Sequence, residues 1–384
     1  MTQTPFPSLS QSADTLPAFA FRNGTGTRVA AGPVDPLARG GVETLEARLS
    51  PALWGLSAGG LIGGALPFDR GAEDCLWRAR RVDTSWPVAF GAPATSARLE
   101  PQPSAAAYAA AVGRALDRLE AGGRLSKVVL ARSLLVQSET RISANALLAR
   151  LAGDPSVTAF LVSLPEGGET GRQLVGASPE LLVAKEGAAV SSHPLAGSAA
   201  RSEDPACDRA AAEALAGSAK DRREHALVVE AILDTLSPLC ERLGTPEGTQ
   251  VTSTGSMWHL GTRVAGRLRD PETPVPLLAA ALHPTPAVCG APRDAAAALI
   301  RELEGFDRGF YAGATGWCDA RGDGAWYVSI RCAELRGHEA RLFAGAGIVP
   351  GSVPEQEAAE TGAKFGAMLR ALDLPADALF ELED

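Results

Sequence analysis

Residues 310–335, FYAGATGWCDARGDGAWYVSIRCAEL, set the fold class of this chain. Two β-rich runs flank Arg321-Gly322-Asp323-Gly324, whose glycines suit a tight turn, so the stretch reads as a β-hairpin. Strand alternation through WYVSIRCAEL places Arg331 on one face with Ser329 and Tyr327. An arginine inside an apolar strand needs an anion, and a substrate carboxylate would satisfy it. Downstream, RLFAGAGIV continues as a strand, followed by a helix around Glu355–Leu372.

The same texture runs upstream. Residues 104–121 carry apolar positions at helical spacing and end at a glycine pair. KVVLARSLLV then reads as a buried strand, and so does TAFLVSL. Residues 173–197 read as strands joined by turns. Cys207–Leu236 reads as one long helix and Pro292–Leu303 as another. Strand-to-strand hairpins imply a mostly antiparallel sheet core flanked by helices, hence an α+β fold. No proline-rich linker or low-complexity break divides the 384 residues, so one large domain is expected. Residues 1–100 read as strands and loops around apolar runs such as Trp54–Leu61. They form the N-terminal part of that domain and carry no recognised motif.

Composition excludes several classes. A net charge of −9 repels nucleic acid and anionic lipid, so any acidic ligand needs a metal or buried Arg and Lys. No run of 18 apolar residues appears, so no membrane span is expected. The opening MTQTPFPSLSQSADTLPAF lacks the basic start and apolar run of a secretory signal. The cysteines at 75, 207, 240, 289, 318 and 332 show no CxxC pair or zinc-like spacing, which implies reduced thiols in a cytoplasm. Nucleophile elbow, P-loop and dinucleotide fingerprint are all missing.

The residues left for chemistry are charged ones. In SAKDRREHALVVEAI, Lys220 and Glu224 share a helical face, with Asp221 next to Lys220. Glu357, Glu360 and Lys364 line one face of the last helix. The plain reading of both is a solvated salt-bridge stripe. The glycine-rich GAGIVPGS argues for more, since Gly345 and Gly347 let a carboxylate approach the backbone. Hard oxygen ligands from two helices, completed by water, are what Mg²⁺ uses to hold an anionic substrate. Lys127 either snorkels to the surface or is a desolvated amine acting as a general base. Glu180 either pairs with a cation or is a protonated acid. His259 is as consistent with a core histidine as with a substrate contact, and His193 and His283 beside prolines read as structural.

The blocks SKVVLAR, GASPELL, HPLAGS, SAKDRREH, WHLGT, HPTPAVCGAP, EGFDRGFYAGATGW, SIRCAEL and AGAGIVPGSVPEQEAAETGAK resemble, in order, the chorismate-utilising enzymes, specifically the isochorismate synthases. They span about residues 126–364, and the resemblance marks 101–384 as the chorismate-binding catalytic region. It implies that Lys127 activates water for attack at ring carbon 2 and that Glu180 protonates the hydroxyl leaving carbon 4. It implies Mg²⁺ on Glu224 and Glu360, with Glu357 acting directly or through water. Gly197 and Ser198 are implied to contact substrate, Arg331, Gly345 and Lys364 to hold a substrate carboxylate, and His259 to line the pocket.

Ammonia-using relatives typically lack the lysine at the position of Lys127, so no amidotransferase subunit is expected. Pyruvate-eliminating relatives usually carry threonine where this chain has Ala287, which favours release of isochorismate. The expectation is therefore a cytoplasmic, monomeric isomerase converting chorismate to isochorismate. Its compact length resembles the enzymes that supply 2,3-dihydroxybenzoate for siderophores. A menaquinone-pathway isochorismate synthase, a salicylate synthase and a non-catalytic chorismate-binding protein remain open. The loop Ala199-Ala200-Arg201 departs from many relatives, which place more arginine there.

Overall fold

A computed structural model of the chain describes residues 16–86, 97–165 and 171–375. The first fifteen residues of the stretch read for a secretory signal lie outside these. The backbone of the fold is one continuous antiparallel ladder. From one edge it runs through Cys240–Gly244, Val264–Leu268, Ala189–His193, Leu181–Glu186, Gly324–Val328, Ala314–Cys318, Leu61–Leu66 and Cys75–Asp83. It continues through Gly26–Pro36, Phe19–Asn23, Thr158–Leu164, Arg172–Ser178, Cys332–Arg336, Glu339–Ile348 and Lys127–Ser138 to Ala97–Gln102. A smaller antiparallel sheet joins Leu195–Ala200, Met257–Thr262 and Thr249–Ser253. Helices cover the sheets, and the α+β reading with an antiparallel core holds.

Strand Lys127–Ser138 shows why. Ten of its twelve residues are buried, and Glu339–Ile348 pairs along nearly its whole length. A strand buried on both faces reads as a continuous apolar run rather than an alternating one. The hairpin of 310–335 is also real, but shorter than its sequence suggests. Gly322, at φ +72°, makes the turn between Ala314–Cys318 and Gly324–Val328. Asp319 accepts hydrogen bonds there from the backbone N–H groups of Arg321 and Asp323.

The extended run then breaks at Ser329-Ile330-Arg331 and resumes as Cys332–Arg336. Arg331 sits in the break at φ +50°, not within a strand as alternation suggested. Its partner run breaks at the same level, since Arg172–Ser178 and Leu181–Glu186 are separated by Pro179-Glu180. Val328 N–H donates to the Glu180 carbonyl, and Ala177 N–H donates to that of Arg331. Two neighbouring strands thus open together, and each opening carries a charged residue.

Two other expectations change. Cys207–Leu236 is two helices, Pro205–Gly217 and Ala219–Leu236, parted at Ser218. Ser218 has extended backbone (ψ 113°), and its hydroxyl accepts from Asp221 N–H, which starts the second helix afresh. The N-terminal region holds a helix, Leu45–Trp54, hidden by its internal Pro51; Trp54 ends it and is almost fully exposed. The cysteines within the described residues are all unbridged. Among these residues no helix is long and apolar enough to cross a membrane.

Candidate active site

One pocket gathers ten of the twelve residues to which the sequence reading assigns a site role: Glu180, Gly197, Ser198, Glu224, His259, Ala287, Arg331, Gly345, Glu360 and Lys364. Lys127 and Glu357 stand just behind its wall. Lys127 is fully buried, with its Nζ 2.9 Å from Glu224 Oε1. That approach lacks the alignment of a hydrogen bond, so Nζ has no hydrogen-bond partner among the described residues. Glu357 is likewise buried and accepts a hydrogen bond from Lys220, which lines the pocket, at 2.6 Å.

The main sheet supplies the floor. Glu180, in one of the paired strand openings, is 3% exposed. Burial pushes its carboxyl up to about 8, against the opposing pull of the Leu195 backbone and the charges of Lys127 and Arg331. At neutral pH the carboxyl is therefore mainly protonated. Arg331 faces it across the same level, and burial lowers its pKa. Glycines on strand Glu339–Ile348 make room. A Cβ on Gly347 would fall 2.2 Å from Glu224 Oε1 and 3.1 Å from Lys127 Cε, so the lysine–glutamate pair occupies the space of that missing side chain. At Gly345 the carbonyl accepts from Lys364 Nζ at 2.8 Å.

The opposite wall is built from the small sheet and two helices. The register of Leu195–Ala200 on Met257–Thr262 slips between Ala196 and Ser198, and Gly197 takes up the bulge at φ +75°. Its missing side chain lets Asp221 pack against it, with a Cβ there only 2.9 Å from Asp221 Cβ. Ser198 donates to Glu360 Oε1 at 2.8 Å, and Lys364 Nζ reaches the same oxygen at 2.5 Å. Glu360 keeps 28% of its side chain open to the pocket, although protein surrounds it. Burial would raise its pKa, but Lys364 and Ser198 outweigh that and hold it below the usual carboxylate range. Burial raises Glu357 despite Lys220. His259 is neutral, its pKa lowered to about 3 by burial and by the nearby charges of Arg331 and Lys364. A hydrogen bond ties its ring to the Gly197 backbone, and its buried Nε2 has no partner among the described residues.

Each glutamate proposed for a metal is thus drawn to its own lysine. Among the described residues no three His, Cys, Asp or Glu side chains stand close enough to hold an ion by themselves. The donor chemistry still fits Mg²⁺. Glu224 and Glu360 present hard oxygens to one pocket, and Mg²⁺ takes one or two carboxylates with substrate and water oxygens completing its shell.

Several pocket residues escaped the sequence reading. Tyr311 lines the wall and stacks on Phe343 at 4.8 Å. Lys220 and Asp221, noted in the sequence beside Glu224 but given no role, also line it. Glu304 and Arg308 form a buried pair beneath it, and their i,i+4 spacing in EGFDRGF was the signal available. His283 is structural, as expected beside its proline: it is buried, with its Nε2 2.8 Å from the Pro67 carbonyl oxygen.

A family model described as chorismate binding enzyme matches residues 76–373. Isochorismate synthase DhbC of Bacillus subtilis is 44% identical over 344 residues, covering 86% of each chain. MenF of Mycobacterium tuberculosis is 47% identical over 355 residues, 89% of this chain and 94% of that one. The crystal structure of DhbC from Bacillus anthracis superposes with a TM-score of 0.85 at 41% identity, covering 93% of this chain and 96% of that one. With the pocket's lysine, acid and glutamates in the order of these blocks, the chain belongs to the chorismate-binding enzyme family, alongside its isochorismate synthases.

Proposed function

We propose that this chain is an isochorismate synthase, an isomerase that adds water to chorismate at ring carbon 2 and expels the hydroxyl at carbon 4. The observation that carries the reading is a buried carboxylic acid, Glu180, set beside Arg331 in one pocket and backed by a buried lysine paired to a pocket glutamate. Lys127, as the free amine, takes the proton of the attacking water as the new C–O bond forms, and the two ring double bonds each shift by one position. Glu180 gives its proton to the departing hydroxyl, which leaves as water, so the atoms of chorismate and isochorismate balance. Arg331 and Lys364 hold carboxylate oxygens, while Gly197 and Ser198 contact the substrate. His259, neutral with a free Nε2, accepts a hydrogen bond from it. Glu224 and Glu360, with Glu357 directly or through water, would hold Mg²⁺, which when bound neutralises the ring carboxylate.

The named pocket residues all lie after residue 126, which supports 101–384 as the catalytic region. Ala287 in the pocket wall favours release of isochorismate over pyruvate elimination. The enzyme is further read as a cytoplasmic monomer working without an amidotransferase subunit. It is read as serving 2,3-dihydroxybenzoate supply, in keeping with its similarity to DhbC of Bacillus anthracis, described as 2,3-dihydroxybenzoate-specific.

The deciding experiment is proton NMR of the purified chain with chorismate and Mg²⁺, repeated with EDTA. Isochorismate that appears only with metal is the expected result. Salicylate with pyruvate would make the chain a salicylate synthase, and unchanged chorismate would make it a binding protein.

A further inference from the structure

We infer that the buried Glu304–Arg308 pair is a positioning device for the reaction, fixing the strand that bears Lys127 against the turn that bears Ala287. The inference rests on the isochorismate synthase reading of the pocket. Its starting point is a gap in the ladder. One edge of strand Lys127–Ser138 is covered along its length by Glu339–Ile348. The other edge has two short partners. Gly290–Ala291 pairs at Lys127 and Val128, with Val129 N–H still reaching the Cys289 carbonyl, and Ala97–Gln102 takes over only from Ser133. Between them the Val129 carbonyl and the Ala131 N–H face no strand.

The ion pair fills this interval. Arg308 Nη2 donates to the Val129 carbonyl at 2.7 Å, and Glu304 Oε1 accepts from Ala131 N–H at 2.7 Å. Arg308 Nη1 reaches across to the Val288 carbonyl at 2.8 Å, while its Nε meets Glu304 Oε2 at 2.8 Å. The guanidinium lies over the Phe68 ring, 4.4 Å from its centroid. A carboxylate and a guanidinium therefore stand in for a missing stretch of β-strand.

Stability alone does not call for this arrangement. Both side chains are 2–3% exposed, and a buried ion pair is commonly no more stabilising than well-packed apolar residues. What apolar residues cannot supply is a fixed span between two backbone carbonyls and an N–H group. The atoms so held belong to pocket walls: Val129 and Val288 both line it, Val129 two residues from Lys127 and Val288 next to Ala287. The pair fixes the strand that follows the proposed base against the wall beside it. Glu304 and Arg308 touch no reacting atom; they act through the backbone.

The test uses the full-length chain with Glu304→Gln, which keeps the shape and an acceptor oxygen, and Arg308→Lys, which keeps the charge but loses the fork. The expected result is a fall in kcat of about tenfold to a hundredfold with KM for chorismate within about threefold, since misplacement by an ångström costs rates on that order. Amide exchange at Val129 and Ala131 should quicken by about tenfold while the far end of the same strand stays protected. Arg118→Ala, which breaks the exposed Arg118–Glu302 pair nearby, should change neither quantity. Wild-type kcat and wild-type exchange in both variants would overturn the inference. So would a loss of activity matched by a loss of folded protein on thermal denaturation. If one variant does not fold, the other carries the test. Failure of the wild type to convert chorismate would count against the proposed function alone, because the exchange comparison needs no turnover.

Discussion

The pocket has two kinds of wall, and they carry different chemistry. The sheet side bears the groups proposed for proton transfer. Lys127 begins a strand bonded on both edges, and Glu180 occupies an opening pinned by a neighbouring strand. The helix side bears the carboxylates. Glu224 comes from Ala219–Leu236, and Glu357 and Glu360 from Pro354–Ala371, each paired with a lysine. Proton transfer demands placement within hydrogen-bond reach, and a doubly paired strand provides it. An ion that keeps some of its water tolerates ligands on side chains that swing between a lysine and a metal. On the proposed roles, the difference teaches that this site separates what must be fixed from what must exchange.

The strongest way to break that division is at the base. Lys127→Ala should lower kcat by about 10³- to 10⁴-fold and leave chorismate-induced thermal stabilisation in place; a variant with wild-type kcat would remove the base assignment. On the helix side, Glu360→Gln should cost about 10²- to 10³-fold through lost charge stabilisation, and its activity should no longer respond to Mg²⁺ titration. Retention of a wild-type Mg²⁺ response would move the ion elsewhere.

Gly347→Ala probes the seam between the two walls, because its methyl would sit 2.2 Å from Glu224 Oε1. A loss of about tenfold to a hundredfold, with a weakened metal response, is expected from steady-state kinetics.

A pH profile sharpens the sheet side. On the proposed mechanism Glu180 acts in its protonated form, which persists below its raised value of about 8 and is lost above it. The rate should thus fall by about tenfold per pH unit on the alkaline side, a limb that Glu180→Gln should abolish along with most activity. The smallest effect is expected at His259→Asn, about threefold to tenfold, as for one neutral hydrogen bond; its neutral imidazole predicts no new pH limb.

Much of this was legible in the sequence, for physical reasons that differ by element. Strand Lys127–Ser138 was plain because burial on both faces leaves an unbroken apolar run. The residues that gather at the pocket were named through their ordered motifs, not their spacing, since a lysine–glutamate face looks the same solvated or catalytic. Two boundaries were not legible. Ser218 fits a helix interior by propensity, and only its hydroxyl bond to Asp221 N–H reveals it as a cap. Arg331 continues a strand by alternation, and its positive φ depends on a break in the neighbouring chain. The Glu304–Arg308 pair was overlooked because i,i+4 ion pairs are usually surface features, and this one lies just past the end of helix Arg293–Leu303. Its role depends on a gap between two distant strands, which no local pattern records.

The paired strand openings also bear on how such enzymes can be recombined. Glu180 and Arg331 face each other only because segments 172–186 and 324–336 interrupt at one level and bond across the gap. In a chimaera of related chains the two segments form one unit of exchange, despite their separation in sequence. A crossover that imports one without the other mixes two registers at the point where acid and cation must meet, whereas crossovers that carry both leave the meeting point intact.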